Sequence, residues 1–217
     1  MREIWLALVL VLALAGVHPA VGQAPKPGGN APGSGAGAES LLAQTAQDRV
    51  LGKADAPIAI VEYASLSCSH CAHFANTVLP KLKATWIDSG KAKLILRDFP
   101  LDEPALRAAM VTRCVPAERF YPLVETLFET QDKWAVAKDW RAALEKLVRL
   151  AGIGKKEFDA CFTDKALEDQ VAQSRLTAAQ LLGVNSTPTF FINGKKYEGE
   201  PSVEAFDQLL SRLPAKS

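Results

Sequence analysis

The stretch Ile58-Ala59-Ile60-Val61-Glu62-Tyr63-Ala64-Ser65-Leu66-Ser67-Cys68-Ser69-His70-Cys71 decides the reading of this chain. Its first half alternates and is rich in β-branched and aromatic side chains, with Pro57 just ahead, the pattern of a buried strand. From Cys71 onward the apolar spacing changes, because Phe74, Val78, Leu82 and Trp86 stand four apart along one helical face. Two cysteines thus lie where a strand gives way to a helix. Open α/β sheets put their chemistry at such carboxyl ends of strands.

Working outward, Pro80 falls inside the helix and predicts a kink, since proline deletes one ladder hydrogen bond. Ala92 to Phe99 reads as a second strand ending at Pro100, and one crossover helix between two strands implies parallel pairing. The strand signal then vanishes. Asp102 caps a helix carrying Leu106 and Met110, and Phe120, Leu123, Val124, Leu127 and Phe128 stripe another. Asp139 caps a third, with Trp140, Leu144, Leu147 and Val148, stopped by Gly152. Phe158 and Phe162 belong to a short fourth, and Asp164 to Leu182 forms a fifth, ended by Gly183. Strands resume at Thr189 to Ile192 and Lys195 to Tyr197, joined by Asn193-Gly194, a pair favoured in two-residue hairpins. Ser202 to Leu213 closes the chain as a helix. The order β, α, β, helical block, β, β, α predicts an α/β fold, a small mixed sheet interrupted at about 102–183 by an all-helical subdomain.

Apolar residues make up 48% of the 217, and Lys+Arg number 25 against 24 Asp+Glu, so a packed core is expected and wholesale disorder is excluded. A net charge of +1 offers nothing to neutralise phosphates, so nucleic acid is not an expected partner.

Arg2 is followed by an apolar run from Ile4 to Val17, then by His18-Pro19 and small residues. As a helix the run would span about 21 Å, short of the ~30 Å hydrocarbon core. A secretory signal over 1–22 is expected, with cleavage after Gly22; Glu3 weakens the positive leader, which leaves an uncleaved anchor open. Residues 23–38, with Pro25, Pro27, Pro32 and five glycines, read as a flexible tether. The folded part is expected over 39–217. The tether carries no apolar heptad, so a monomer is expected.

In an exported protein a Cys-x-x-Cys has three readings: a redox dithiol, half of a zinc site, or a structural disulfide. Zinc would need two more ligands from Cys114, Cys161, His70 or His73, and neither distant cysteine has a companion two to four residues away. The redox reading fits the position. Cys68 would sit at a helix N-terminus, where unsatisfied N–H groups and the dipole favour thiolate, with Cys71 one turn behind. His70, if protonated, would add positive charge beside the sulfur, whereas His73 is expected at the surface. Copper(I) capture by the same pair is the alternative from another class, though Met110 is the one methionine beyond the start. Glu62 falls on the same strand face as Ile58 and Ile60, where a carboxylate is out of place; near a dithiol it could relay protons. Cys114 and Cys161 are expected to form a structural disulfide within the helical block, worth roughly 4 kcal/mol on the chain-entropy model.

Taken together, Cys68-Ser69-His70-Cys71, Glu62 six residues before the first cysteine, Arg97-Asp98-Phe99-Pro100-Leu101, Leu127-Phe128 with Gln131 and Trp134, Gly183 to Phe190, and Asn193-Gly194 resemble the DsbA-like thiol-disulfide oxidoreductases. The resemblance runs from about residue 48 to the C-terminus. It implies a thioredoxin-like fold with a helical insertion, an exposed attacked sulfur on Cys68 and a resolving Cys71. It also implies a cis Pro188 facing the dithiol, with the Thr187 backbone receiving an extended peptide. The implied activity is periplasmic: disulfides pass to unfolded exported proteins with free thiols, no cofactor is needed, and a DsbB-like membrane quinone reductase restores the enzyme. The family's best-studied oxidants carry Pro-His where this chain has Ser69-His70, and Thr187 before the proline also occurs in isomerases. An isomerase or reductase of the same fold is therefore the runner-up.

Overall fold

The computed structural model describes residues 36–214. The leader expected over 1–22, and the tether up to residue 35, lie outside them. The described part opens with α1 (Ala36–Leu42), so the last residues assigned to the tether are helical. It continues through β1 (Val50–Leu51) and β2 (Ile58–Ala64) to the helical rod that follows Cys68. That rod comprises α2 (Ser69–His73), a π-helical stretch (Phe74–Val78), α3 (Leu79–Leu82) and a second π stretch (Lys83–Ile87). Pro80 therefore does not interrupt a continuous α-helix as expected. It lies in the first turn of α3, directly after a π stretch has already broken the i→i−4 ladder.

Next come β3 (Ala92–Asp98) and the helical block: α4 (Glu103–Cys114), α5 (Ala117–Glu129), α6 (Gln131–Trp134), α7 (Trp140–Leu150), α8 (Lys155–Thr163) and α9 (Lys165–Leu181). The chain returns to the sheet with β4 (Thr189–Ile192) and β5 (Lys195–Lys196) and ends in α10 (Val203–Leu210). Asp102, Asp139 and Asp164 cap α4, α7 and α9, each accepting from the backbone N–H three residues on.

The sheet order is β1-β3-β2-β4-β5, with β2 and β3 parallel and the other pairs antiparallel. Asn193 (φ 48°) and Gly194 (φ 82°) both take positive φ in the β4–β5 turn, as a type I′ hairpin requires. Alternation along β2 divides the core in two. Ile58, Ile60 and Ala64 pack with Phe74, Leu82, Phe190 and Phe206, while Val61 and Tyr63 pack with Leu42, Ala178 and Leu182 on the opposite face.

Three side chains tie the helical block to the sheet. Arg113 of α4 donates from Nε to Asp98 Oδ2 at 2.8 Å and from Nη2 to the Leu96 carbonyl at 3.0 Å. The Tyr121 hydroxyl of α5 faces the Leu94 carbonyl at 2.9 Å and accepts from the Leu96 N–H. Ser174 of α9 donates to the Asp98 carbonyl. The block is thus seated on the C-terminal half of β3, next to the Cys68 loop.

Candidate active site

The loop after β2 folds back at once, because the Cys68 N–H donates to the Ser65 carbonyl at 3.1 Å. Ser65 Oγ accepts from the Leu101 N–H at 3.2 Å, which fastens the loop to the segment leaving β3. Cys68 then caps α2 with extended backbone (φ −82°, ψ 121°), and its carbonyl accepts the first helical bond from Ala72 at 3.0 Å. This conformation leaves the sulfur facing the free N–H groups of the first turn.

Cys68 and Cys71 are both free thiols in this structure; the first is half-buried, the second fully buried. A hydrogen bond from the Cys71 thiol is the main cause holding Cys68 down to about 5. Burial works against it, and the Thr187 side chain and the Cys71 and His70 N–H groups add to it. Cys71 is pushed far above the ordinary thiol range, first by burial and then by the negative groups around it. Two chemically identical side chains three residues apart are thereby driven to opposite extremes.

Pro188 follows a cis peptide bond, and in its thiol form Cys68 donates to the Thr187 carbonyl at 3.3 Å. The Thr187 hydroxyl is buried without another partner and is free to donate to the sulfur once it ionises. The structure therefore brings Cys68, Cys71, Thr187 and Pro188 together across the β2 and β4 ends.

Glu62 belongs to the same cluster. It pairs across β2–β4 with Phe190, is 2% exposed, and its Oε1 has no hydrogen-bond partner. Burial, reinforced by the Cys68 charge, raises it to about 8. His70 is exposed, and its backbone N–H is among the donors that lower the Cys68 pKa. A residue in the exposed first turn of a helix turns its ring to water, while its N–H remains among the unsatisfied donors. His73 is exposed as expected, hydrogen-bonded to Thr77 one turn on.

Cys114 and Cys161 are joined by a disulfide, at a Cα separation of 6.2 Å, linking α4 to α8. Gln131, at the start of α6, reaches into the Cys68 loop and donates from Nε2 to the Leu66 carbonyl at 2.8 Å and the Cys68 carbonyl at 3.1 Å. No periodicity marked it for that contact, since a glutamine in the first turn of a short helix is ordinary. Among the described residues no helix is long and apolar enough to cross a membrane.

Comparison with known proteins gives a consistent picture. The family model described as Thioredoxin matches residues 44–212. A Rickettsia bellii relative, provisionally named a protein-disulfide oxidoreductase, is 34% identical over 155 residues, which cover 70% of this chain and 59% of the relative. The chain thus spans about three-fifths of that relative's length. The crystal structure of Wolbachia pipientis alpha-DsbA1 is 32% identical, with a TM-score of 0.76 over 81% of this chain and 95% of its own. A protein-disulfide isomerase from Novosphingobium aromaticivorans is 25% identical, with a TM-score of 0.68 over 76% of this chain and 97% of its own.

Proposed function

Because the chain belongs to the thioredoxin family, in its DsbA-like group, we propose that it is a thiol-disulfide oxidoreductase passing a Cys68–Cys71 disulfide to unfolded exported proteins. The observation that carries this reading is the contrast between the sulfurs: Cys68 reachable and held near 5, Cys71 buried and held high. A pair so divided stabilises the reduced enzyme as a mono-thiolate, and the disulfide accepts electrons accordingly.

The chemistry follows from these positions. A substrate thiolate attacks Cys68 Sγ, forming a substrate–Cys68 disulfide and breaking the Cys68–Cys71 bond, with the electron pair going to Cys71 Sγ. That leaving thiolate is a poor one in its buried site and needs a proton. Glu62, raised to about 8, still holds one at neutral pH and can supply it. A second substrate thiolate then attacks the substrate sulfur, and Cys68 departs easily because its thiolate is already stabilised. The products are one substrate disulfide and the reduced enzyme. The Thr187 backbone, beside the sulfur on the approach to β4, would hold the substrate as an extended segment.

The setting belongs to the same proposal: a periplasmic location, a monomer, and return of the electrons to a DsbB-like quinone-linked membrane partner. An isomerase or reductase of the same fold would use the same atoms. Equilibrating the purified protein with defined mixtures of reduced and oxidised glutathione separates the two directions. The proposal expects the dithiol to stay reduced until the mixture is strongly oxidising. A disulfide that persists in reducing mixtures would contradict it.

A further inference from the structure

Among the described residues, Gln131 is the one side chain of the helical block that donates into the Cys68 loop. Both its partners are carbonyl oxygens, so the amide nitrogen must face them and the orientation of the group is fixed by chemistry. The Leu66 and Cys68 carbonyls bracket the turn that presents the sulfur. The Cys68 carbonyl already accepts from Ala72, so Gln131 supplies its second donor.

The support behind Gln131 is rigid. Trp134, fully buried three residues on, donates from Nε1 to the Leu127 carbonyl at 2.9 Å and closes the corner between α5 and α6. Asn76 of the rod donates to the Phe128 carbonyl at 3.2 Å, which ties the same corner to the helix that Cys68 caps. The backbone leading into Gln131 is thus tied at two carbonyls, so its amide meets the loop from a fastened corner.

We infer that Gln131 is a positioning residue for the dithiol, through which the helical block sets the reactivity of Cys68. The inference rests on the proposed redox role of that pair. Two effects act in one direction. Fixing the Cys68 carbonyl fixes ψ of the capping residue, and with it the aim of the His70 and Cys71 N–H groups at the sulfur. Two amide N–H groups also offset the partial negative charge of carbonyls flanking the turn, which favours a thiolate there. Without them the reduced enzyme is less stable relative to its disulfide, and the protein is a weaker oxidant.

Two variants of the full chain test this: Gln131→Met, which keeps the length and removes the donors, and Gln131→Glu, which replaces donors with acceptors. Each is read by thiolate absorbance against pH, by the glutathione equilibrium and by thermal unfolding. The expected result is a Cys68 midpoint higher by about half to one unit in Gln131→Met. The equilibrium should move roughly three- to tenfold toward disulfide, with a larger shift of the same sign in Gln131→Glu. A midpoint and equilibrium within about twofold of the parent in both variants, whatever the change in melting temperature, would overturn the inference and leave Gln131 a structural residue. A parent protein whose own midpoint is that of an ordinary thiol would instead overturn the proposed function, and the difference between parent and variants would still be read.

Discussion

Arg97 on β3 grips the carboxylate of Asp48 with two nitrogens, Nε at 3.1 Å and Nη2 at 2.9 Å, while its Nη atoms also reach the Leu41 and Ala43 carbonyls. One guanidinium therefore closes the segment after α1 onto the sheet. Both side chains are largely buried, so removing one partner strands the other's charge.

Replacement of Arg97 by Met should cost roughly 3 kcal/mol, and the Asp48→Asn/Arg97→Met double variant less than the sum of the single changes. Burial alone would push the Asp48 carboxyl up, but the Arg97 and Thr45 hydrogen bonds hold it below its usual 3.8. A depressed folded pKa contributes stability that is complete above the unfolded value and is lost as pH falls through the folded one. Urea unfolding between pH 7 and pH 2 should therefore show an acid loss below about pH 4 that Asp48→Asn partly lacks.

Glu62 gives the opposite slope. Its folded value of about 8 lies above its usual 4.5, so between those limits the unfolded chain has released a proton that the folded one keeps. Stability contributed by this site falls as pH rises through the window and levels off above it. The Glu62→Gln variant should be more stable than the parent by roughly 2–3 kcal/mol at pH 7 and should lose that slope. The same variant should slow disulfide transfer at neutral pH by about 10- to 100-fold if the carboxyl supplies the proton to Cys71. Unchanged rates across the pH range would remove Glu62 from the chemistry while leaving the stability argument intact.

Alkylation should separate the four cysteines into three classes. Iodoacetamide at pH 6 is expected to label Cys68 quickly, because it is ionised and reachable there, and Cys71 only after unfolding. Cys114 and Cys161 should appear as one linked peptide without reductant. Replacing both by Ala should destabilise the protein by roughly 4 kcal/mol on the loop-entropy model. Mapping after partial labelling checks the three classes, and urea unfolding of the double variant checks the loss of stability.

Much of this arrangement is legible in the sequence. The alternation of Ile58 to Ala64 and the four-residue spacing from Phe74 placed Cys68 at a strand–helix junction, because both repeats run long enough to be read. Glu62 was legible as a misplaced charge on an apolar strand face. Two-residue β1 was not, since its pairing with Leu94 and Ile95 is a long-range fact with no local period. The π stretches at Phe74–Val78 and Lys83–Ile87 left one trace, the four-residue spacing of Phe74, Val78, Leu82 and Trp86, which is wider than the α period, but so short a run does not separate the two kinds of helix. For His70 the sequence places the residue beside the sulfur, but which of its groups faces inward depends on a rotamer and is not legible there. Gln131 and Arg97 act on backbone carbonyls of distant segments, and a carbonyl leaves no mark in sequence.

Whether the surroundings of Cys68 hold its sulfur ionised is read without intermediary by titrating the reduced protein and following its ultraviolet thiolate absorbance. One transition centred near pH 5 is expected, with the second thiol silent through neutral pH. A single-thiol transition near 9, the value of an unperturbed cysteine, would contradict it.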